Sequence, residues 1–236
     1  MLRRSTYLHS THVKILVIDV GGTHVKLLST GRRTVLKIPS GPDLTPSTMV
    51  QGVLEATAEW SYDGVTIGYP GPVAKDRPTK EPVNLGSGWV GFDYTRAFKK
   101  PVKMINDAAM QALGSYDGGV MLFLGLGTGL GTTLVTNGTV VPLEIAHLPY
   151  RKERSYEEYV GEAGLKHLGQ KKWKKHVAEI VQLFLAALNA EYAVLGGGNV
   201  RFFETEEELP ANTRRGSNMN AFRGGYRLWQ KQAHLP

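Results

Sequence analysis

The sequence contains no cysteine at any of its 236 positions. Disulfide bonds and thiolate zinc sites are therefore excluded, and the absence is typical of a cytoplasmic protein. No apolar run approaches the roughly 18 residues of a membrane span, and no long apolar segment follows Arg3 and Arg4 as it would in a signal peptide. We therefore expect a cytoplasmic protein without a membrane partner, in which Met1 to His12 form a frayed extension.

Acidic residues are fewer than basic ones, 21 against 28, which gives a formal net charge of +7. A basic surface favours anionic partners such as nucleic acid, membrane headgroups or phosphate compounds. Much of this charge lies between Lys166 and His176, here called the lysine segment. It is typical of a solvated helix face, although it could also bind a long linear anion. Nucleic acid is not expected, because Trp173 alone supplies an aromatic ring within the segment for base stacking.

Two glycine-rich turns about a hundred residues apart each follow an apolar strand. The first glycine turn (Gly21 to Thr23) follows the strand that ends at Asp19, and the second (Gly127 to Gly129) follows Val120 to Leu124. Glycine lets the backbone approach a phosphate closely and aim its N–H groups at it. Two such turns on opposite sides of a cleft would hold a polyphosphate, which indicates a phosphotransferase. The candidate phosphate-binding residues here are Asp19, Gly21, Gly22, Thr23, Lys26, Gly127, Thr128 and Gly129.

The hydrophobic pattern predicts an α/β chain in which a strand-strand-strand-helix-strand unit occurs twice. The first copy has strands at 14–19, 25–29, 34–38, 64–69 and 102–105, a helix from Thr45 and Pro46 to Trp60, and an irregular segment at 74–92. The second has strands at 120–124, 130–136, 139–141 (shortened by Pro142) and 192–195, with a helix whose apolar face runs from Trp173 to Leu188. A final helix is expected over 217–232, weakened by Gly224 and Gly225.

Two aspartates lie at strand ends. Asp19, beside the first glycine turn, could hold Mg²⁺ through water, or could simply stabilise its own turn. Asp107 follows the strand at 102–105 and could take the proton of a hydroxyl during phosphoryl transfer. It could also be only the N-cap of the helix that follows.

Two further groups are weaker signals. Glu144 and His147 stand three residues apart after an apolar strand and could bind adjacent hydroxyls of a sugar, or form an ordinary surface pair. The third glycine run (Gly196 to Asn199) follows a buried strand and could bind a nucleotide at a helix N-terminus, or be a plain turn.

Taken in order, these motifs resemble the ROK family of bacterial sugar kinases and repressors. The matching segments are Asp19 to Thr23, Gly125 to Gly131, the third glycine run, Gly68 to Val73, and Asn84-Leu85 with Trp89. The resemblance implies a two-lobe actin-like fold, a duplicated ribonuclease-H-like unit with central mixed sheets. It also implies an N-terminal lobe at 1–107, a C-terminal lobe at 108–216, and a helix at about 217–236 that packs back on the first lobe.

The resemblance also implies roles for individual residues. Asp107 matches the catalytic base, and the metal expected at Asp19 is Mg²⁺. Gly197, Gly198 and Asn199 match the nucleotide motif. Glu157 matches a further sugar-binding glutamate, although Glu158 and Glu162 lie close by. The sugar-binding residues implied are Asn106, Glu144, His147, Glu157, Gly71 and Asn84.

This chain departs from the family pattern. It lacks the cysteine-rich zinc motif, so no structural zinc is expected to order the sugar-binding loop. His24 stands where asparagine is common. Nothing before the first strand resembles a helix-turn-helix, which argues against a DNA-binding repressor.

The expected activity is transfer of a phosphoryl group to the 6-hydroxyl of glucose, with Mg²⁺ and either ATP or inorganic polyphosphate as donor. Mannose, fructose and N-acetylhexosamines remain alternative sugars, and the lysine segment is the reason to consider polyphosphate. A sugar-sensing protein without turnover is the alternative function, against which the presence of both Asp19 and Asp107 argues. A homodimer is expected, because it is common among members of the family.

Overall fold

The computed structural model describes residues 13–217 and 219–230. The predicted extension at Met1 to His12 and the end of the predicted last helix lie outside these residues. Within them, no helix combines the length and the apolar character that crossing a membrane requires.

The first half of the chain forms a five-stranded mixed sheet. Its strands are β1 (Ile15–Val20), β2 (His24–Ser29), β3 (Leu36–Pro39), β4 (Gly64–Tyr69) and, after a two-stranded hairpin of β5 (Val73–Ala74) and β6 (Arg77–Pro78), β7 (Val102–Asn106). The order is β3-β2-β1-β4-β7, with β1, β4 and β7 parallel and the β1–β2–β3 meander antiparallel. All residues of β1 and β4 are buried, as expected for central strands covered on both faces.

Three helices belong to this half: α1 (Pro46–Ala56), α2 (Tyr94–Phe98) and α3 (Asp107–Ser115). Thr45 caps α1 and Pro46 opens it, as predicted. The prediction that α1 reaches Trp60 is wrong. The hydroxyl of Thr57 donates to the carbonyl of Val53 at 2.8 Å, and a separate turn over 57–60 follows.

The second half repeats the topology. After β8 (Val120–Leu126), β9 (Leu130–Thr136) and β10 (Thr139–Leu143) come a small hairpin of β11 (Pro149–Arg151) and β12 (Arg154–Ser155), then β13 (Tyr192–Gly196) and β14 (Thr213–Arg215). The order is β10-β9-β8-β13-β14. Pro142 does not shorten β10, contrary to the prediction, because β10 is an edge strand, where a missing N–H is tolerated.

The helices of this half are α4 (Tyr156–Val160) and α5 (Glu162–Leu188). Helix α5 is interrupted at Gly169, whose φ of 73° and ψ of 158° are not helical. Its predicted apolar face is buried along its length, from Trp173 through Phe184, against the second sheet.

The last helix, α6 (Asn220–Arg227), begins three residues later than predicted and ends at Arg227, before the predicted end at residue 232. It packs against α3 at close range, since a Cβ on Gly114 would lie 1.8 Å from the carbonyl oxygen of Asn220, and one on Gly224 would lie 1.8 Å from that of Met110. Gly114 and Gly224 thus permit the close contact between the two helices. Thr66 of the first sheet donates to the carbonyl of Gly225 at 2.9 Å. The lobe boundaries at residues 107 and 216 remain a prediction.

Candidate active site

The carboxyl ends of β1, β4 and β7 meet at one edge of the first sheet. Asp19 lies opposite Gly68, and Gly68 lies opposite Ile105. This register places Asn106 and Asp107, directly after β7, at the same edge as Asp19. The structure therefore brings together the two aspartates that the sequence singled out.

Asp107 is the first residue of α3. It is therefore not the N-cap, which was the alternative role that the sequence allowed. The cap is Asn106, whose Oδ1 accepts from the N–H of Ala109 at 3.0 Å. The Oδ1 of Asp107 accepts from the N–H of Ala108 at 2.8 Å. Asp107 is thus not needed to cap the helix, and its second carboxylate oxygen remains available for chemistry.

The environment of Asp107 favours the protonated form. Burial raises the pKa of Asp107 to about 7, and the negative charge of Asp19 acts in the same direction. The N–H of Ala108 and the charge of Lys26 oppose this rise in pKa. A carboxylate with a pKa near neutrality is a good proton acceptor, because it is both available and sufficiently basic.

The first glycine turn joins β1 to β2 above this edge. Asp19 and Lys26 are directly opposite each other on these antiparallel strands, and their Oδ2 and Nζ atoms are 3.2 Å apart. The N–H of Gly21 donates to the carbonyl of His24. Within the described residues, the N–H groups of Gly22 and Thr23 have no partner, and both residues are exposed. They are free to bind an anion.

The second glycine turn joins β8 to β9 and packs against the third glycine run. The turn closes through the N–H of Gly127, which donates to the carbonyl of Gly129 at 3.1 Å. The Nδ2 of Asn199 donates to the carbonyl of Gly127 at 3.1 Å. Gly197 has a φ of 82°, and a Cβ there would lie 2.3 Å from the carbonyl oxygen of Leu126. The structure thus joins two predicted phosphate-binding segments, with Gly198 exposed beside them.

A cavity of about 570 Å³, here called the site cavity, lies between the edge strands β7 and β10. Asp107 and Asn106 line it, together with Gly71, and the Nδ2 of Asn106 donates to the carbonyl of Gly71 at 3.2 Å. Leu130, at the end of the second glycine turn, lines the opposite side. The volume is suitable for a small polar ligand held against Asp107.

The other predicted sugar-binding residues are arranged differently. Glu144 lines the site cavity, but its side chain is 85% exposed, and His147, 3.6 Å from it, is 65% exposed and outside the lining. Asn84 lies beside the first glycine turn, near Gly22, and not in the cavity. The Oε2 of Glu157 accepts from the N–H of Leu130 at 2.9 Å. Glu158 caps α4 by bonding Ser155, so it is committed elsewhere.

Two residues of the site were missed by sequence reasoning. Lys75 and Asp76 form the turn between β5 and β6, both with positive φ, and both line the site cavity. The Oδ1 of Asp76 accepts from the N–H of Met104 at 3.0 Å, which fixes this hairpin against the edge strand β7. A Lys-Asp pair is not a typical hairpin turn, and the many Pro and Gly residues of 74–92 favour the irregular segment that the sequence predicts there.

A larger cavity of about 1070 Å³ lies away from these groups, near the end of α6. Lys103 and Arg227 line it, but their side chains already donate to the carbonyls of Leu228, Leu113 and Tyr116. None of the predicted site residues lines this larger cavity, so the site cavity is the better candidate for the active site.

The residues present are compatible with Mg²⁺. The described residues contain no group of three or more histidine, aspartate or glutamate side chains that could enclose a metal. Magnesium does not require such a cage, since it usually keeps several waters and binds one or two carboxylates together with substrate phosphates. Asp19 is buried, and within the described residues only Lys26 bonds its carboxylate. It therefore retains an oxygen for a metal-bound water.

No protein-family model matches the chain. In sequence, it is 25% identical to the polyphosphate glucokinase of Mycobacterium tuberculosis over 202 residues, which are 77% of this chain and 76% of that protein. It is 23% identical to the polyphosphate glucokinase of Mycobacterium leprae over 204 residues, 77% of this chain and 62% of that protein.

Solved structures share the fold. The inorganic polyphosphate/ATP-glucomannokinase of Arthrobacter sp. strain KM has a TM-score of 0.72 at 22% identity, covering 92% of this chain and 98% of that one. A ROK family glucokinase of Streptomyces griseus, solved with glucose and AMPPNP, has a TM-score of 0.67 at 17% identity, covering 91% and 98%. The predicted two-lobe mixed α/β fold and phosphotransferase class are confirmed, and the chain has the fold of the ROK-family sugar kinases together with sequence similarity to their polyphosphate glucokinases.

Proposed function

We propose that the protein phosphorylates the 6-hydroxyl of glucose, with Asp107 as the general base. The observation that carries this proposal is the position of Asp107 in the site cavity, next to Asp19 and opposite the second glycine turn. Its carboxylate accepts the hydroxyl proton as the oxygen attacks the terminal phosphorus of the donor, and the bond from that phosphorus to the leaving phosphate breaks.

The donor's charge is neutralised from two sides. In the described part of the chain, the N–H groups of Gly22 and Thr23 in the first glycine turn and those of Thr128 and Gly129 in the second form no hydrogen bond, so both turns would bind the donor through them. Lys26 adds a positive charge next to Asp19. Asp19 would hold Mg²⁺ through water, and the metal would there offset the negative charge that builds up during phosphoryl transfer. Preorganised donors of this kind stabilise the transition state without further rearrangement.

The sugar is held by groups around the site cavity. Asn106 is fixed by its bonds to Ala109 and Gly71 and keeps a second amide hydrogen for a hydroxyl. Glu157 bonds Leu130 through Oε2, and its Oε1, which has no hydrogen bond within the described residues, is free for a hydroxyl. Glu144 and His147 are exposed at the cavity rim and would turn inward over the sugar. Asn84 reaches the sugar only if the lobes close.

The test measures sugar phosphate formation by the wild-type protein and by Asp107→Asn, with Mg²⁺ and either ATP or long-chain polyphosphate. Glucose, mannose, fructose and N-acetylglucosamine are compared as acceptors. We expect turnover of glucose, and a loss of about 10³-fold in kcat in the variant, because general-base catalysis contributes about 10²- to 10⁴-fold. Glu59→Gln, an exposed carboxylate beyond the end of α1, is the matched control and should retain full activity.

Two results would contradict the proposal. Near-normal kcat in folded Asp107→Asn would show that this carboxylate is not the base. Glucose binding by the wild-type protein without turnover with either donor would favour the sugar-sensing alternative. The same measurements decide between ATP and polyphosphate as the donor, and they identify the preferred sugar. The predicted homodimer would be checked by light scattering on the same samples.

A further inference from the structure

A further polar cavity, here called the basic pocket, lies in the second half of the chain. It has a volume of about 460 Å³ and lies between the β11–β12 hairpin and the two parts of α5. Its lining consists almost entirely of cationic or aromatic side chains: Arg151, Lys152, Arg154, Tyr159, His167 and His176. No acidic residue lines it, so its charge favours an anion.

Two of the three Lys and Arg side chains of the pocket are not neutralised by protein groups. In the part of the chain that the structure describes, Lys152 and Arg154 form no salt bridge. Arg151 is paired with Glu179. The pKa of Glu158 is lowered by hydrogen bonds from Ser155 and, less strongly, by the charge of Arg154. Guanidinium groups bind phosphate oxygens in pairs, which makes Arg154 a suitable phosphate ligand.

The hairpin turn that presents these cations has an unfavourable backbone. Lys152 has a φ of 49° and Glu153 a φ of 61°, and both values are in the left-handed region. A two-residue turn of this type normally uses asparagine and glycine. Non-glycine residues in this region cost stability, and such costs tend to occur at functional sites. The turn places Lys152 in the pocket between Arg151 and Arg154 along the chain.

The aromatic rings near the pocket are not available to stack on nucleic acid bases. Tyr150 is stacked on Tyr156 and makes edge contacts with Tyr159 and His176. Tyr159 also makes an edge contact with His176, and Arg151 covers Tyr150. Single-stranded nucleic acids depend on free ring faces for much of their affinity. The pocket therefore favours an anion without bases.

The structure divides the lysine segment into three groups. Lys172 shares the pocket side of α5 with His176, since residues four apart lie on one face of a helix. Lys174 is on another side and pairs with Glu208 at 2.8 Å. Lys171 and Lys175 are exposed on the face opposite buried Trp173. The segment as a whole is therefore not one continuous track.

Helix α4 connects the basic pocket to the candidate active site. Tyr159 of this helix lines the pocket, while Glu157 bonds Leu130 at the second glycine turn. Arg154 is three residues before Glu157, so the chain allows at most about 10 Å between their Cα atoms. An extended anion held at the second glycine turn could therefore continue over α4 into the pocket.

We propose that the basic pocket binds the distal phosphates of an inorganic polyphosphate chain whose terminal phosphoryl group lies at the second glycine turn. This inference rests on the proposed function, because it assigns that function's donor an additional binding site. ATP has three phosphates followed by a nucleoside, and the rings near the pocket have no free face on which its base could stack. The pocket should therefore matter only for long-chain polyphosphate.

The experiment compares Lys152→Glu/Arg154→Glu with the control Lys171→Glu/Lys175→Glu, which makes the same charge change on the opposite face of α5. We expect the first variant to raise the KM for long-chain polyphosphate at least about tenfold, since each lost phosphate contact weakens a charge-dependent affinity. The KM values for ATP, tripolyphosphate and glucose should change less than about twofold. The control should leave all four values nearly unchanged.

Direct binding separates failure of this inference from failure of the proposed function. Displacement of fluorescently labelled long-chain polyphosphate is measured without sugar, so it needs no turnover. Weaker binding in the first variant alone supports the pocket even if no kinase activity is found. Equal losses in both variants, or equal displacement by a single-stranded oligonucleotide of matched charge, would overturn it in favour of a general basic surface. Circular dichroism of each variant checks that it is folded.

Discussion

The two glycine turns occupy the same place in two sheets of the same topology, but their supports differ. Each turn joins an antiparallel strand pair, and we compare the second-last pair of facing residues before the turn. Between β1 and β2 it is Asp19 opposite Lys26, and between β8 and β9 it is Gly125 opposite Gly131. A charged pair and a pair without side chains therefore stand at corresponding positions. The duplication preserves the backbone while the chemistry on it differs.

This difference explains why the residues at the first glycine turn are charged, while those at the second are closely packed. The Asp19–Lys26 pair places charges next to Asp107. At the second turn, the lack of a side chain lets α3 approach, because a Cβ on Gly131 would lie 3.1 Å from the Cβ of Ala108. We infer that the first turn acts through charge, and that the second acts through shape and backbone N–H groups.

The largest effect is expected where the shape of the second turn is disturbed. Gly197→Ala would place a Cβ 2.3 Å from the carbonyl oxygen of Leu126 at a φ of 82°. Backbone cannot yield as a side chain does, so we expect a loss on the order of 3 kcal/mol in the free energy of unfolding. Urea denaturation measures it.

Gly127→Ala is the matched control for Gly197→Ala. It stands in the second turn itself, but its added Cβ meets nothing within 4 Å. We expect its stability to change by less than about 0.5 kcal/mol. Equal losses in the two variants would mean that any side chain in this region is harmful and that the contact between the third glycine run and Leu126 has no special role.

An intermediate effect is expected from removing one carboxylate charge at each turn. Asp19→Asn should lower kcat about 10- to 100-fold, the usual cost of losing a group that orients a metal through water, with the KM for glucose little changed. Because the charge of Asp19 raises the pKa of Asp107, the acidic limb of the kcat/KM profile should also move to lower pH. Steady-state kinetics from pH 5 to 9 would measure both.

Glu157→Gln is the corresponding change at the second turn. The amide oxygen still accepts from Leu130, so the turn is kept, while the charged contact to a sugar hydroxyl is lost. We expect a rise of about tenfold in the KM for glucose, as hydrogen bonds to charged groups contribute about 1.5–3 kcal/mol, with kcat changed only a few-fold. A fall in kcat without a change in this KM would reduce Glu157 to a support of the turn.

Local signals in the sequence were sufficient for nine of the ten strands of the two five-stranded sheets, all but β14, and for both glycine turns and the position of Asp107 at a strand end. The contacts that join these segments were not predictable. Asn199 bonds Gly127 across 72 positions of the chain, and Glu157 reaches Leu130 across 27. Such pairings depend on how the helices pack, which short-range periodicity does not contain. The N-cap of α3 is Asn106 and not Asp107. The sequence leaves this choice open, because asparagine and aspartate are both favoured at the N-cap.

The smallest effect concerns Asp107, where the two turns meet, and it is a change in stability with pH. The pKa of this carboxyl is about 7 in the folded protein against an ordinary value of 3.8. The folded state therefore binds the proton more tightly, and stability should fall as the pH rises from about 4 to 7. Asp107→Asn removes this cost and should be more stable than the wild type at pH 8 by roughly 1–2 kcal/mol, after allowance for partial solvent screening.

The comparison at pH 4 completes this prediction. There the wild-type carboxyl is protonated in the folded state and partly protonated in the unfolded chain, so most of the difference between the variant and the wild type should be gone. Urea unfolding at pH 4, 6 and 8 would show the gap opening with pH. A constant gap would mean that the effect comes from packing. A variant less stable at pH 8 would mean that the charge of Lys26 outweighs burial and Asp19 at this carboxyl, so that the first turn stabilises the base as an anion.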